Sequence, residues 1–316
     1  MKCRICANTE SNQPLETREM MFGTRERFPY FECGSCGCVQ IAEIPEDLSK
    51  FYAGDYYSFK PVRRSNFILA LFKRIKDRSA VFRRGRFGRV LNRFYGNLYL
   101  EQLALLEPST NTAILDVGCG AGKFLHSLRE IGFTRLLGAD PHLASEVNYD
   151  NGLVLKKSRL AELAGPFDVV TMNHSFEHVE QPLAVLRDCH RVLGQGGFCC
   201  ITTPVAGSFA CETYRADWVQ LDAPRHLHVH SRESMDHLAK EVGFSIWKTI
   251  YNSAAFQFWG SEQYRMDIPL LDARSYGGNR RHSVFTAREI AAFDLASKNL
   301  NAMGRGDQAT FILKKN

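Results

Sequence analysis

From residue 111 onward, short apolar runs alternate with stretches that repeat at helical spacing, the pattern of strands covered on both faces and helices packed across them. It predicts strands at 112–117, 135–140, 152–156, 167–172, 197–203, 244–251 and 309–314, with helices over 121–131, 181–193, 232–242 and 286–300. Seven strands with intervening helices make an α/β, doubly wound, Rossmann-like sheet. Residues 46–108 lack that alternation. Phe51, Tyr52 and the run Tyr56, Tyr57, Ser58, Phe59 are aromatic, and Ile68, Leu71, Phe72 and Ile75 recur at helical spacing. Next, Phe82, Phe87, Leu91 and Phe94 are interleaved with arginines, which predicts an amphipathic surface helix or helix pair. The expected organisation is a ribbon at 1–45, a basic, aromatic-rich helical connector at 46–108, and the α/β domain at 109–316 with acceptor-site insertions near 205–231 and 252–283.

Within the first strand and turn, Ile114, Leu115 and Val117 flank Asp116, and Gly118, Gly120 and Gly122 follow. Glycines at these positions let backbone approach a ligand without interference from Cβ atoms. A second strand ends in Asp140, where doubly wound folds grip a ribose diol. The turn is therefore read as a nucleoside site. A dinucleotide fingerprint needs its third glycine three residues after the second, and Lys123 stands there instead. Asp116 would repel a diphosphate but attract an amino group.

Composition is ordinary for a globular protein, with 45% hydrophobic and 23% charged residues. No apolar run approaches the ~20 residues of a membrane helix, and Met1, Lys2 and Cys3 open no signal peptide, so a cytoplasmic location is expected. The net charge of +6 is unevenly placed. Between Lys60 and Arg93 stand twelve Lys or Arg against Asp77 alone, which suggests peripheral contact of residues 60–93 with an anionic membrane at the inner face. Of ten cysteines, Cys3-x-x-Cys6 and Cys33-x-x-Cys36 form two knuckles suited to a structural, tetrahedral Zn²⁺. Cys38 is an alternative to Cys36.

Further candidates lie after the fourth strand, where side chains face the ligand crevice: Asn173, His174, Ser175, Phe176, Glu177 and His178. The segment 218–230 carries His226, His228 and His230 at alternate positions, on one face if extended. Alternate strand residues converge poorly on a metal, so acid-base chemistry is favoured, with His226 first and His228 second as the base. Arg225 is a candidate anchor for a phosphate or carboxylate. The loop 252–283 offers Trp259 and Tyr264 as flat faces for a sugar ring.

Asp116 with Gly118-x-Gly120-x-Gly122 resembles motif I of class I S-adenosylmethionine (SAM) methyltransferases. The resemblance covers about 110–250; with the cysteine knuckles and segments such as 56–59, 174–178, 221–226 and 258–264, the chain is similar to bacterial type 11 and type 23 methyltransferases that accompany polysaccharide assembly. That implies SAM as cofactor, with Asp116 near the methionine amino group and Gly118, Cys119, Gly120 and Gly122 lining methionine and ribose. It places Asp140 on the ribose hydroxyls with Pro141 beside it, and Asn173 and His174 bordering the methionine. Glu177 and His178 would join His226 and His228 in catalysis. It also implies a last strand running antiparallel between the fifth and sixth. The expected activity is O-methylation of a sugar hydroxyl on a saccharide, nucleotide-sugar or lipid-linked glycan. An RNA methyltransferase is the alternative, disfavoured because Asn173, His174, Ser175, Phe176 lacks the prolines usual for base methylation; a non-enzymatic SAM-fold scaffold is the other.

Overall fold

The computed structural model describes residues 1–52, 66–280 and 282–316. The aromatic run 56–59 and the basic residues Lys60, Arg63 and Arg64 lie outside them.

The main sheet is built from β4 (Ile114–Val117), β5 (Leu136–Ala139), β6 (Val147–Asn148), β7 (Val154–Lys156), β8 (Phe167–Asn173), β9 (Leu193–Pro204), β11 (Phe244–Tyr251) and β12 (Gln308–Lys315). Their order is β11-β12-β9-β8-β4-β5-β7-β6. β7, β5, β4, β8 and β9 are parallel, and β12 runs antiparallel between β9 and β11, as expected. The eighth strand, one more than predicted, is the two-residue β6 paired antiparallel with β7. So short an edge carries no readable period.

Successive residues of these strands divide between two cores, which accounts for their unbroken apolar character. Leu115, Val170, Cys199, Ile201, Phe311 and Leu313 pack with α5 (Pro182–Val192) and α7 (Arg232–Val242). Ile114, Val169, Cys200 and Ile312 pack on the other face with α3 (Leu98–Leu103), α4 (Lys123–Glu130) and the end of α1 (Phe67–Phe82). The helix ends follow local chemistry. Ser231 caps α7 by accepting from Ser234 N, and Gly243 closes it in the left-handed conformation; Thr286 and Glu289 form a capping box for α9 (Ala287–Ala302).

The N-terminal region forms its own sheet, β1 (Gln13–Arg18), β2 (Arg27–Glu32) and β3 (Val39–Ile41), but its fourth strand is β10 (His228–Val229), from far along the chain. Its apolar faces merge with the body: Cys3, Ile5 and Phe31 join the first sheet core, while Tyr30, Ile41 and Phe51 pack against Trp218, Leu227 and α6 (Phe209–Tyr214). The loop expected at 252–283 contains α8 (Phe256–Arg265), which corrects that reading. Its buried residues mix polar Gln257, Ser261 and Gln263 with Phe258 and Tyr264, so no continuous apolar stripe reads through it.

Candidate active site

β4 pairs with β8 where the chain reverses its direction of travel across the sheet, and Asp116 lies opposite Thr171. Its Oδ1 accepts from Thr171 Oγ1 at 2.7 Å and from Asn173 Nδ2 at 3.3 Å. Burial pushes the Asp116 carboxyl up to about 7, against the lowering effect of those two hydrogen bonds. A buried carboxylate so short of positive partners is poised for an ammonium group. The turn that follows holds Gly118, Gly120 and Gly122 at φ of 71°, 50° and 67°. A Cβ on Gly118 would stand 2.5 Å from Ser175 Cβ, and one on Gly122 would stand 2.8 Å from Leu155 Cδ2. Asp140, at the end of β5, accepts from Gly120 N at 3.0 Å and His142 N at 2.9 Å, which fixes it over the turn. Cys119 donates its thiol to Gly120 O at 3.6 Å, and Pro141 is exposed just beyond the acid. Two buried carboxylates flanking a side-chain-free turn fit a ligand carrying both an ammonium and a diol.

Beyond β8 lies a cavity of about 250 Å³. His174, Glu177, His178, Gln220, Asp222, His226 and Gln308 give it a polar lining; Met21, Val219, Phe256 and Leu270 give it an apolar wall. His226 Nδ1 lies 2.8 Å from the Gln220 carbonyl, which accepts only from a protonated nitrogen. The proton is thereby assigned to Nδ1, and Nε2 keeps its lone pair. Nε2 lies 3.9 Å from Glu177 Oε1 and 3.8 Å from Asp222 Oδ2. Burial lowers the His226 pKa, with Asp222 and Glu177 opposing, so the ring is a neutral base near pH 7.

Burial alone would raise Glu177, but the hydrogen bond from His174 and the neighbouring His174, His226 and His178 outweigh it and hold the carboxyl down at about 2. Its Oε1 lies 3.2 Å from His174 Nδ1, and its Oε2 is buried without a hydrogen-bond partner. His178 donates from Nδ1 to Arg225 O at 2.9 Å and stands edge-on to His226, ring centroids 4.8 Å apart. One carboxylate oxygen and two ring nitrogens of Glu177, His178 and His226 lie within 4.8 Å of one another, near enough to share an ion.

Comparison with known proteins now decides the family. A model of a methyltransferase domain matches residues 82–249, more than half of the chain. The chain belongs to the methyltransferase domain family. This methyltransferase is 31% identical over 137 residues to the ubiquinone biosynthesis O-methyltransferase of Xanthomonas axonopodis pv. citri, covering 40% of this chain and 57% of that protein. It is 32% identical over 144 residues to the protein of the same name from Pseudomonas paraeruginosa, covering 41% and 60%. The chain spans about half the length of the curated relatives it matches. Among solved structures it is similar to an S-adenosylmethionine dependent methyltransferase from Mesorhizobium loti, at 17% identity and a TM-score of 0.44, covering 70% of this chain and 99% of that one. The chain therefore carries a methyltransferase domain on a Rossmann-like sheet.

Of the methyltransferase's expected site residues, the sheet edge gathers Asp116, Gly118, Cys119, Gly120, Gly122, Asp140 and Asn173, while His174, Glu177, His178 and His226 line the cavity. His228 is not brought there. It sits on β10 against the N-terminal sheet, its Nδ1 3.1 Å from Val179 O and its Nε2 accepting from Arg4 Nε at 3.2 Å, so neither nitrogen is left to act as a base. Arg225 is likewise not free to anchor an anion, because it is fully buried between Asp222, at 2.6 Å and 2.9 Å, and Glu19, at 3.1 Å. Trp259 packs on Phe256 and Tyr276, and Tyr264 is buried with Met20 and Val219, so both serve packing.

Thr171, Asp222 and Met21 were not foreseen. The parallel register of β4 and β8 points to Thr171, and the spacing of four from His226 in a tight turn points to Asp222; nothing local to Met21 marks it.

In the N-terminal module, Cys3 Sγ lies 3.7 Å from Cys36 Sγ and Cys6 Sγ lies 3.5 Å from Cys33 Sγ. The backbone amide of Ile5 donates to Cys3 Sγ, and those of Ser35 and Cys36 donate to Cys33 Sγ. Sulfurs at ~2.3 Å from a tetrahedral ion stand about 3.8 Å apart, so the four fit zinc. Cys38 lies outside the cluster, its Sγ directed at Val39 O.

Proposed function

We propose that this methyltransferase methylates a hydroxyl of a saccharide, free or carried on a nucleotide or lipid, with His226 as general base. The observation that carries the reading is the cavity beside the cofactor cradle, in which a neutral His226 nitrogen faces two carboxylates. Its volume is slightly below the ~300–1,000 Å³ usual for ligand pockets, which suits a single ring. Seven polar side chains and one apolar wall suit a polyol with one carbon face. The matched relatives carry the name O-methyltransferase, in keeping with an oxygen acceptor.

Bound at the Asp116 and Asp140 cradle, SAM supplies an electrophilic methyl group. The protein's own part is positional and protolytic. His226 Nε2 takes the acceptor's hydroxyl proton, leaving the oxygen as the nucleophile. Glu177 and Asp222 favour the imidazolium that results, and Gln220 O keeps the ring oriented. A labelled-methyl assay across nucleotide sugars, lipid-linked glycans, phenols and RNA tests the reading. Saccharide labelling that Mg²⁺ or Mn²⁺ does not stimulate is the expected result; labelling of RNA alone, or a rate that depends on an added divalent ion, would overturn it.

We infer further that Cys3, Cys6, Cys33 and Cys36 hold a structural Zn²⁺, closed to chemistry by its four thiolates. Native mass spectrometry should find one zinc per chain, lost in Cys33→Ser.

A further inference from the structure

We propose that the hairpin of α1 and α2 (Arg86–Tyr95) docks the enzyme on an anionic lipid bilayer. This goes beyond the catalytic reading and does not depend on the acceptor.

The hairpin is well anchored at one end only. The last turns of α1 bury Ala80 and Val81 against Leu100 and Phe133, and Arg78 donates to Ile131 O. The helices meet closely, since a Cβ on Gly88 would stand 2.3 Å from Ser79 Cβ, and Asn92 Nδ2 donates to Lys76 O. Lys76 Nζ in turn donates to Tyr95 O, which brings the end of α2 alongside the middle of α1.

The first turns of α1 project from the body, and they are apolar. Phe67 is 81% exposed, Ile68 67%, Leu69 58% and Leu71 47%. At 100° per residue these four span more than one face of the helix. Val90, Phe94 and Tyr95 of α2 are also exposed.

Charge decides which surface. Lys73 and Arg74 are exposed on the turn that follows Leu71, Arg89 and Arg93 are exposed beside Val90 and Phe94, and Arg83 and Arg84 are exposed at the bend between the two helices. Among the described residues of the hairpin the only acid is Asp77, which is buried and paired with Lys76 at 2.9 Å. A second copy of the chain would bring like charges together, and nucleic acid would leave Ile68, Leu69 and Leu71 in water. An anionic leaflet satisfies both, because apolar insertion and a polybasic patch together give stable attachment where either alone is weak. Among the described residues no helix is long and apolar enough to cross a membrane, so the contact is peripheral.

The test is co-sedimentation of the full chain with phosphatidylcholine vesicles, with and without phosphatidylglycerol, at low and high salt. Binding should require phosphatidylglycerol and weaken with salt. It should fall about tenfold or more both in Leu69→Asp/Leu71→Asp and in Lys73→Glu/Arg74→Glu. These positions are exposed, so the variants should keep the wild-type circular dichroism and SAM affinity, which separates a docking defect from misfolding or a failed active site. Absence of wild-type binding to anionic vesicles, or equal binding by folded variants, overturns the proposal. So does concentration-dependent dimerisation, or RNA retention, that takes the place of vesicle binding.

Discussion

The cofactor cradle and the acceptor cavity share the carboxyl edge of one sheet but are assembled in opposite ways. The cradle comes from a strand, a turn and the next strand: Asp116, three glycines and Asp140, with Thr171 and Asn173 entering from the neighbouring β8. The cavity draws on the N-terminal module at Met21, the turn after β8, the segment 219–226, α8 at Phe256, and Gln308 at the start of β12. On the proposed reading, cofactor binding would be a local property of the methyltransferase, whereas the choice of acceptor would be distributed over most of the chain. The two should come apart under mutation.

The largest effect is expected at His226. His226→Ala should lower kcat by about 10²–10⁴ while leaving the SAM dissociation constant within about twofold, as read by turnover and calorimetry. A parallel loss of SAM affinity would merge the two regions. Retained turnover would move the base elsewhere.

Asp116→Asn is the complementary break. Removing the buried carboxylate should weaken SAM binding by about 100-fold, near 3 kcal/mol. The wild-type site should also respond to pH. With Asp116 held at about 7, its protonation below that value removes the ammonium's partner, so SAM affinity should fall up to about tenfold per pH unit as pH drops below 7. The cofactor-free protein should behave in the opposite sense. A carboxyl whose folded pKa is raised favours the folded state at pH below the unfolded value of ~3.9, and that contribution is lost as pH rises through about 7. Thermal unfolding without cofactor should therefore show Asp116→Asn gaining on the wild type from pH 6 to 8.

The smallest effect sharpens the link between the N-terminal module and the cavity. Glu19 accepts from Met21 N, Phe22 N and Thr24 N, and it receives Arg225. Arg225 O in turn meets His178, and Tyr30 donates its hydroxyl to His226 O. Glu19→Gln should cost about 2 kcal/mol of stability, since Arg225 keeps Asp222, and raise the acceptor KM several-fold with SAM affinity unchanged. An unaltered KM would show that the module does not shape the cavity.

The same division governs what could be read from the chain in advance. Strands buried on both faces announce themselves as apolar runs, so the strands of the main sheet were legible, and the glycines with an acid at a strand end marked the turn where Asp116, Gly118, Gly120 and Asp140 meet; the antiparallel place of β12 came only from the family resemblance. The cavity was legible only where a motif coincided with it, at His174, Glu177, His178 and His226. α8 was hidden because its inward Gln257 and Gln263 reach Ser297 and Ser275 by hydrogen bonds instead of presenting an apolar stripe. Arg225 read as a ligand anchor although Asp222, three residues before it, takes its guanidinium at 2.6 Å and 2.9 Å; its second partner, Glu19, follows β1 in the N-terminal module, a separation no local pattern encodes.

The pairing of β10 with β3 also bears on how the protein is made. The thiol-rich hairpins leave the ribosome before the α/β body, yet the strand that completes their sheet is translated only after most of that body. Until then β3 presents a bare edge and the cysteines stand without their final surroundings. On the proposed zinc site, early capture of the ion, or a chaperone over that edge, would decide how much nascent chain escapes oxidation and aggregation.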